Sequence, residues 1–156
     1  MKVVAKEDIE APIQKVFAGL TDFRTFERSA IRRGAGVKRV GDFEVAGEGV
    51  AWDANFTMRG KRRDIRLQIE QYDAPEHIRL TVRSDGMHGL VKVDLVALSP
   101  SRTRLRVETE IKPQTLSARL LLQSLRLARS NVQTRLQKRL SDFAATIEGR
   151  PGIRRA

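Results

Sequence analysis

Four carboxylates, Asp53, Asp94, Glu108 and Glu110, and four arginines, Arg66, Arg83, Arg104 and Arg106, sit in stretches where polar and apolar residues alternate. Carboxylates held close to a reacting proton are the usual agents of general acid–base chemistry, but only where they face a closed site. Alternation places all eight side chains opposite the Val, Ile and Leu positions. They are therefore expected to pair across strands on a wet face, where single ion pairs contribute little. The chain has two histidines, His77 and His88, and no cysteine, which removes thiolate nucleophiles, disulfides, Cys-based zinc sites and all-histidine metal sites. His88 lies in the Gly-flanked segment Ser84-Asp85-Gly86-Met87-His88-Gly89, as a cavity-rim residue or an ordinary exposed loop histidine. Gly47-x-Gly49 lacks the third glycine and following helix of a dinucleotide fingerprint. No catalytic set, metal or cofactor is expected.

One basic residue breaks the pattern of its element. At about 100° per residue, Arg129 falls inside the helical arc of Leu125, Val132, Leu136 and Leu140, whereas Arg119 and Arg126 fall outside it. An unpaired guanidinium on an apolar face costs several kcal/mol, at about the scale of a broken buried ion pair, so Arg129 needs an anion or a route to water. With Gln133 one turn later, it is a candidate to meet the polar head of an amphipathic ligand. Snorkelling past the helix edge, or pairing with a structural carboxylate, is the alternative.

The elements that must position these residues follow from periodicity. Lys2 to Glu10 reads as a strand, and Ala11-Pro12 opens a helix carrying Ile13, Val16, Phe17 and Leu20 on one face. Thr21-Asp22 caps a second short helix with Phe23, Phe26 and Ala30 in phase, stopped by Gly34-Ala35-Gly36. The period then becomes two. Val50, Trp52, Ala54, Phe56 and Met58 alternate with polar residues, followed by Ile65, Leu67 and Ile69, by Ile78, Leu80 and Val82, by Val91, Val93, Leu95 and Ala97, and by Leu105, Val107, Thr109 and Ile111. Arg59-Gly60-Lys61 and Asp73-Ala74-Pro75-Glu76 are turns. Thr109 is the one polar residue on this inward wall. From Thr115 onward, Leu121, Leu125, Ala128, Val132, Leu136, Leu140, Phe143 and Ile147 step by three and four. That spacing predicts one helix of roughly 30 residues and ~45 Å, ended by Gly149-Arg150-Pro151-Gly152.

With 156 residues, the chain fits one domain, expected over 1–148, with a basic tail over 149–156. The segment from Met1 to Met58 balances nine basic against nine acidic residues, Arg59 to Lys112 carries twelve against eight, and Pro113 to Ala156 carries nine against two. Of the net charge of +11, +7 thus lies in the C-terminal segment and +4 in the segment before it. Of the 30 basic residues 22 are arginine, so the excess is open to two readings, codon supply or a binding surface. Phe17, Phe23, Phe26, Trp52, Phe56 and Phe143 all occupy core-phase positions, which argues against base stacking and nucleic-acid binding. Peripheral contact of the basic C-terminal helix with an anionic membrane, or contact with solvent alone, are both open. The N-terminus has no apolar targeting core and no stretch is long enough to span a bilayer, so a cytoplasmic location is expected. Oligomeric state is not readable.

Strand, two short helices, a run of antiparallel strands and a terminal helix imply an α+β domain with a curved sheet around a helix. In this order Ile9-Glu-Ala-Pro-Ile-Gln-Lys-Val-Phe-Ala-Gly-Leu-Thr-Asp-Phe23, Gly49-Val-Ala-Trp52, Arg59-Gly-Lys-Arg-Arg63, Tyr72-Asp-Ala-Pro-Glu76 and the amphipathic last helix resemble the START-like (SRPBCC) superfamily. That superfamily includes polyketide cyclase/dehydrase-type and birch-pollen-allergen-like proteins. The resemblance implies a helix-grip fold with a cavity between sheet and helix for a lipid, sterol or polyketide-like molecule, and no shared catalytic residues. The expected lining is Trp52, Phe56, Leu67, Leu80 and Val93 from the sheet and Leu125, Arg129, Val132 and Gln133 from the helix. The leading functional expectation is binding or transport of a small hydrophobic or amphipathic ligand. The alternative is a cyclase/dehydratase-type enzyme acting on a polyketide-like substrate.

Overall fold

A computed structural model describes residues 1–41 and 46–149. In chain order it comprises β1 (Lys2–Ile9), α1 (Ile13–Leu20), α2 (Phe23–Arg32), β2 (Gly36–Val40), β3 (Ala51–Met58), β4 (Lys61–Asp73), β5 (His77–Ser84), β6 (Met87–Ser99), β7 (Arg102–Pro113), α3 (Leu116–Leu127) and α4 (Arg129–Ile147). All strands pair antiparallel in one seven-stranded sheet of order β1-β7-β6-β5-β4-β3-β2. The hairpin β3–β4 turns through Arg59 (φ 53°) and Gly60 (φ 73°). Two positive φ values in a two-residue loop are what a type I′ turn requires, and its twist matches that of the strands. Bulges interrupt β4 between Ile69 and Gln71 and β6 between Ala97 and Ser99; such insertions bend a strand and raise its twist.

One face of the sheet carries the apolar residues and the helices pack against it. Ile9, Val16, Val50, Ile69, Leu105 and Ala144 are almost fully buried and share one core cluster with Trp52, Leu95 and Leu140. Each large aliphatic side chain so buried contributes ~1.5–3 kcal/mol. The helices α1 and α4 approach closely at Gly19, where a side-chain carbon would lie 2.3 Å from Ile147 Cδ1. The buried Thr103 hydroxyl donates to the Ala11 carbonyl at 2.8 Å, tying β7 to the chain entering α1. Asp22 caps α2 by accepting from the Thr25 N–H at 3.4 Å, and also accepts from the Thr25 hydroxyl at 2.7 Å; the Thr115 hydroxyl caps α3 by accepting from the Ala118 N–H at 3.1 Å.

Two elements differ from the sequence expectation. The strand β2 was not expected: it is five residues long and follows a Gly-rich stop. Its sequence, Gly-Val-Lys-Arg-Val, has too few apolar positions for a period of two to stand out. The C-terminal helix is two helices, because Ala128 leaves helical geometry at φ −100° and ψ 15°. The step of three and four continues across that residue, and periodicity reports which face is apolar, not whether the axis continues. The basic tail expected from residue 149 lies, beyond Gly149, outside the described residues.

The edge strand β1 is closed by α4. The Arg129 guanidinium donates to the Lys2 carbonyl at 3.0 Å, the Gln133 amide donates to the Val4 carbonyl, and the Gln137 amide donates to the Lys6 carbonyl at 2.7 Å and to Glu7 Oε2 at 3.0 Å. Four residues of helix rise about 6 Å and two of strand about 6.6 Å, so one helix turn and one strand repeat advance together. Alternate carbonyls that an edge strand would expose are thereby satisfied.

Candidate ligand cavity

The apolar sheet face is hollowed in two places. A cavity of about 460 Å³ lies between α2 and the sheet, lined from the strands by Val37, Trp52, Leu67, Ile69, Ile78, Leu80 and Val93. From the helical side it is lined by Leu20, Phe23, Phe26, Glu27, Ser29, Ala30 and Arg33. A second cavity of about 320 Å³ lies under α3, lined by Phe56, Met58, Ile65, Val82 and Val91 of the sheet and by Leu121 and Leu125 of the helix. Its rim carries Arg63, Asp85, His88, Thr109 and Glu110.

Aromatic rings shape the larger chamber. Phe23 meets Trp52 edge to face, with centroids 5.0 Å apart and planes at 82°, the geometry that the ring quadrupoles favour. Phe26 stacks on Phe143 of α4 at 6.3 Å. Trp52 is 7% exposed, and its Nε1 has no acceptor among the described residues. A buried donor left without a partner costs about 1–3 kcal/mol.

Two charged groups, Glu27 of α2 and Arg33 just after it, line this chamber. Glu27 accepts from the Arg39 guanidinium at 2.7 and 3.1 Å, and Arg39 lies over the Phe23 ring, 5.9 Å from its centroid. Arg39 is opposite Trp52 in the β2–β3 register, which turns it to the inner face. Arg33 stands at the rim. Desolvation, and next the charge of Arg139, lower its pKa, with Arg32 acting the same way and Asp142 opposing. Arginine remains a cation under such shifts, so the mouth of the chamber is locally positive.

The residues expected at the site separate into three groups. Trp52, Leu67, Leu80 and Val93 line the larger chamber, and Phe56 and Leu125 line the smaller. Val132 is half-buried and lines neither. Arg129 and Gln133 bond to the β1 edge, and Arg129 is exposed. The helical wheel assumed one axis through residue 128. With the axis broken there, Arg129 begins a helix whose first turns face a row of carbonyls, and a backbone oxygen takes the place expected for a ligand anion. Phe23, Phe26, Glu27, Arg33 and Arg39 were not in the expected set. The spacing of Phe26, Ala30 and Arg33, four and then three residues, carried the signal for part of them.

The carboxylates of the alternating stretches lie on the outer face. Asp53 accepts from Arg66 at 2.5 Å, a bond that holds its carboxyl below the usual range. Asp94 pairs with His77 Nδ1 at 2.7 Å and with Arg106 at 4.0 Å. Glu108 is 8% exposed and pairs with Lys2 at 3.0 Å and Arg106 at 3.4 Å. Its hydrogen bond from Lys2 is the main cause of a lowered pKa. Glu110 pairs with Lys112 at 3.6 Å while reaching the rim of the smaller chamber. His88 is exposed, in β6 and not in a loop, and borders the same rim. No described helix is long and apolar enough to cross a membrane.

Residues 1–148 match the family described as polyketide cyclase/dehydrase and lipid transport. Comparison with curated proteins gave no sequence match. Among solved structures, the protein TTHA0849 from Thermus thermophilus is similar with a TM-score of 0.71 at 14% identity, over 96% of this chain and 98% of that one. The Zhui aromatase/cyclase from a Streptomyces species, strain R1128, is similar with a TM-score of 0.66 at 13% identity, over 95% and 93%. Ara h 8.0201 is similar with a TM-score of 0.59 at 14% identity, over 96% and 95%. At these identities the likeness is one of fold, and the fold is the α+β helix-grip arrangement of a sheet holding a C-terminal helix.

Proposed function

From the premise that this chain belongs to the polyketide cyclase/dehydrase and lipid transport family, we propose that it binds a small amphipathic molecule in the 460 Å³ chamber. The apolar body lies against Leu67, Leu80, Val93 and Phe26, and an acidic or other polar head lies toward Arg33. The observation that carries this reading is the chamber's composition: a mostly apolar floor and roof that include Trp52, with a cation at the mouth. Pockets for small molecules are built in this way, mostly apolar with a few placed polar groups. Dodecanoate and dodecanol test it by calorimetry. Arg33→Gln should weaken dodecanoate about fivefold, the scale of one exposed charge contact, and leave dodecanol unchanged. Absence of binding by either probe, or equal loss for both, would refute the reading.

A second reading, cyclisation or dehydration of a polyketide-like substrate, is favoured by Glu27, the one carboxylate lining the larger chamber among the described residues. Its bond to Arg39 orients it on the wall. Product formation that survives Glu27→Gln unchanged would remove this reading.

A further inference from the structure

The helix α3 is apolar on two opposite faces. Its inner face places Ala118 and Leu122 in the interior and Leu121 and Leu125 against the smaller chamber. Its outer face carries Leu116, Leu120 and Leu127, which are 74%, 60% and 91% exposed. At 100° per residue these three leucines fall within an arc of about 40°, so they form a stripe and not a scatter. Single exposed leucines need no explanation, whereas a contiguous apolar stripe marks a contact surface.

Charge identifies the occupant. Between Pro113 and Ser141 the chain has six basic residues and no acidic one: Arg119, Arg126, Arg129, Arg135, Lys138 and Arg139, all exposed. Arg119 and Arg126 lie about 60–80° to one side of the leucine stripe on the helical projection. At the C-terminal end of α3, Arg126, Lys112 and Arg129 gather near the Met1 ammonium, whose pKa is lowered first by burial and then by these charges, with Glu110 opposing. A second copy of this chain presents the same positive surface and is repelled. An apolar stripe beside a basic flank is instead the pattern of a helix that lies in an anionic lipid interface.

We propose that α3 docks on an anionic bilayer surface through Leu116, Leu120 and Leu127, with Arg119 and Arg126 on lipid headgroups. The helix is placed to do this without unfolding. At its N-terminal end the Gln114 N–H donates to the Gly86 carbonyl at 2.6 Å and Thr115 caps the first turn. At its other end the Ala128 break frees its direction from that of α4. Docking sets the roof of the smaller chamber directly on the lipid. The proposal does not rest on what either chamber holds, since vesicle binding is read without a ligand.

Co-sedimentation of the full chain with vesicles of phosphatidylcholine alone, and of phosphatidylcholine mixed with phosphatidylglycerol, tests it. Wild type should bind the mixed vesicles and show little binding to the neutral ones. Leu116→Ser/Leu120→Ser/Leu127→Ser should lose at least about tenfold in affinity, given the apolar area withdrawn from lipid. Arg119→Gln/Arg126→Gln should lose roughly 25-fold at low salt, about fivefold per basic residue. Val96→Ser/Leu98→Ser, which removes exposed apolar side chains from β6, should bind as wild type does. The proposal is overturned by equal binding to both vesicle types, by binding to neither, or by a triple leucine variant that binds normally. It is equally overturned if wild type is a dimer in solution that the leucine substitutions dissociate, since the stripe is then a self-contact.

Discussion

The unpartnered indole of Trp52 gives the most discriminating expectation about the larger chamber. Trp52→Phe keeps an aromatic ring against Phe23 and removes the Nε1–H. No hydrogen bond is lost in the free protein, because Nε1 has no acceptor among the described residues. The cost to the free protein is therefore the smaller ring alone, about 1 kcal/mol by comparison with other single-group core deletions. In the complex the substitution removes a bond only where the ligand brings an acceptor up to the enclosed indole edge. A neutral acceptor forfeits about 0.5–1.5 kcal/mol and a charged one about 1.5–3 kcal/mol, which corresponds to roughly 2–13-fold and 13–150-fold in affinity. 1-Tetralone, a bicyclic ketone, and naphthalene, of similar size without an acceptor, make the comparison. Trp52 is the chain's one tryptophan, so wild-type emission reads the chamber directly, and calorimetry serves the Trp52→Phe variant. A ligand at a hundred times its Kd should also raise Tm, since about 2.7 kcal/mol of linkage corresponds to roughly 5–11 °C in a domain of this size. If Trp52→Phe weakens tetralone and naphthalene alike, the indole N–H is not a ligand donor and the chamber recognises shape alone.

Two further outcomes concern the scaffold. Thr103→Val should leave the Ala11 carbonyl without its 2.8 Å donor in a fully buried setting. The loss should be about 2 kcal/mol, a Tm lower by ~4–8 °C, and a variant as stable as wild type would contradict it. Glu108 has a carboxyl held below its ordinary range, first by the hydrogen bond from Lys2. A group depressed in the folded state stabilises above its unfolded pKa, and that contribution disappears as pH falls through the folded pKa. Glu108→Gln should therefore lower stability near neutral pH and flatten its decline below about pH 4.3, the unperturbed glutamate value; denaturant titrations at several pH values with parallel slopes for both proteins would count against this.

The fold was readable because its signal is periodic. Alternation from Val50 to Ile111 placed the inner face of five strands, and the same alternation put Asp53, Asp94 and Glu108 on the outer face, where they pair. The chamber was only half readable. Its floor of Trp52, Leu67, Leu80 and Val93 is apolar in phase, but its mouth depends on register. Arg39 reads as a surface residue until β2 is paired with β3, and Glu27 until α2 is laid over the sheet. Arg129 shows the opposite case. Local phase on an assumed single helix pointed it inward, and a tertiary contact at residue 2, 127 positions away, decided its partner.

The rungs from Arg129, Gln133 and Gln137 to Lys2, Val4 and Lys6 also work as a gauge of chain length. One residue inserted into α4 between Arg129 and Gln137 would swing the later donors by about 100° around the helix. One inserted into β1 would move each following carbonyl to the opposite edge of the strand. Neither change can be absorbed locally, because the two repeats keep step only when both are intact. Among the described residues no side-chain hydrogen bond ties α3, between Thr115 and Ala128, to a strand, although Ala118 and Leu122 are buried. A change of length in the helical roof would therefore leave the α4–β1 rungs intact only if it fell on α3, outside the stretch from Arg129 to Gln137.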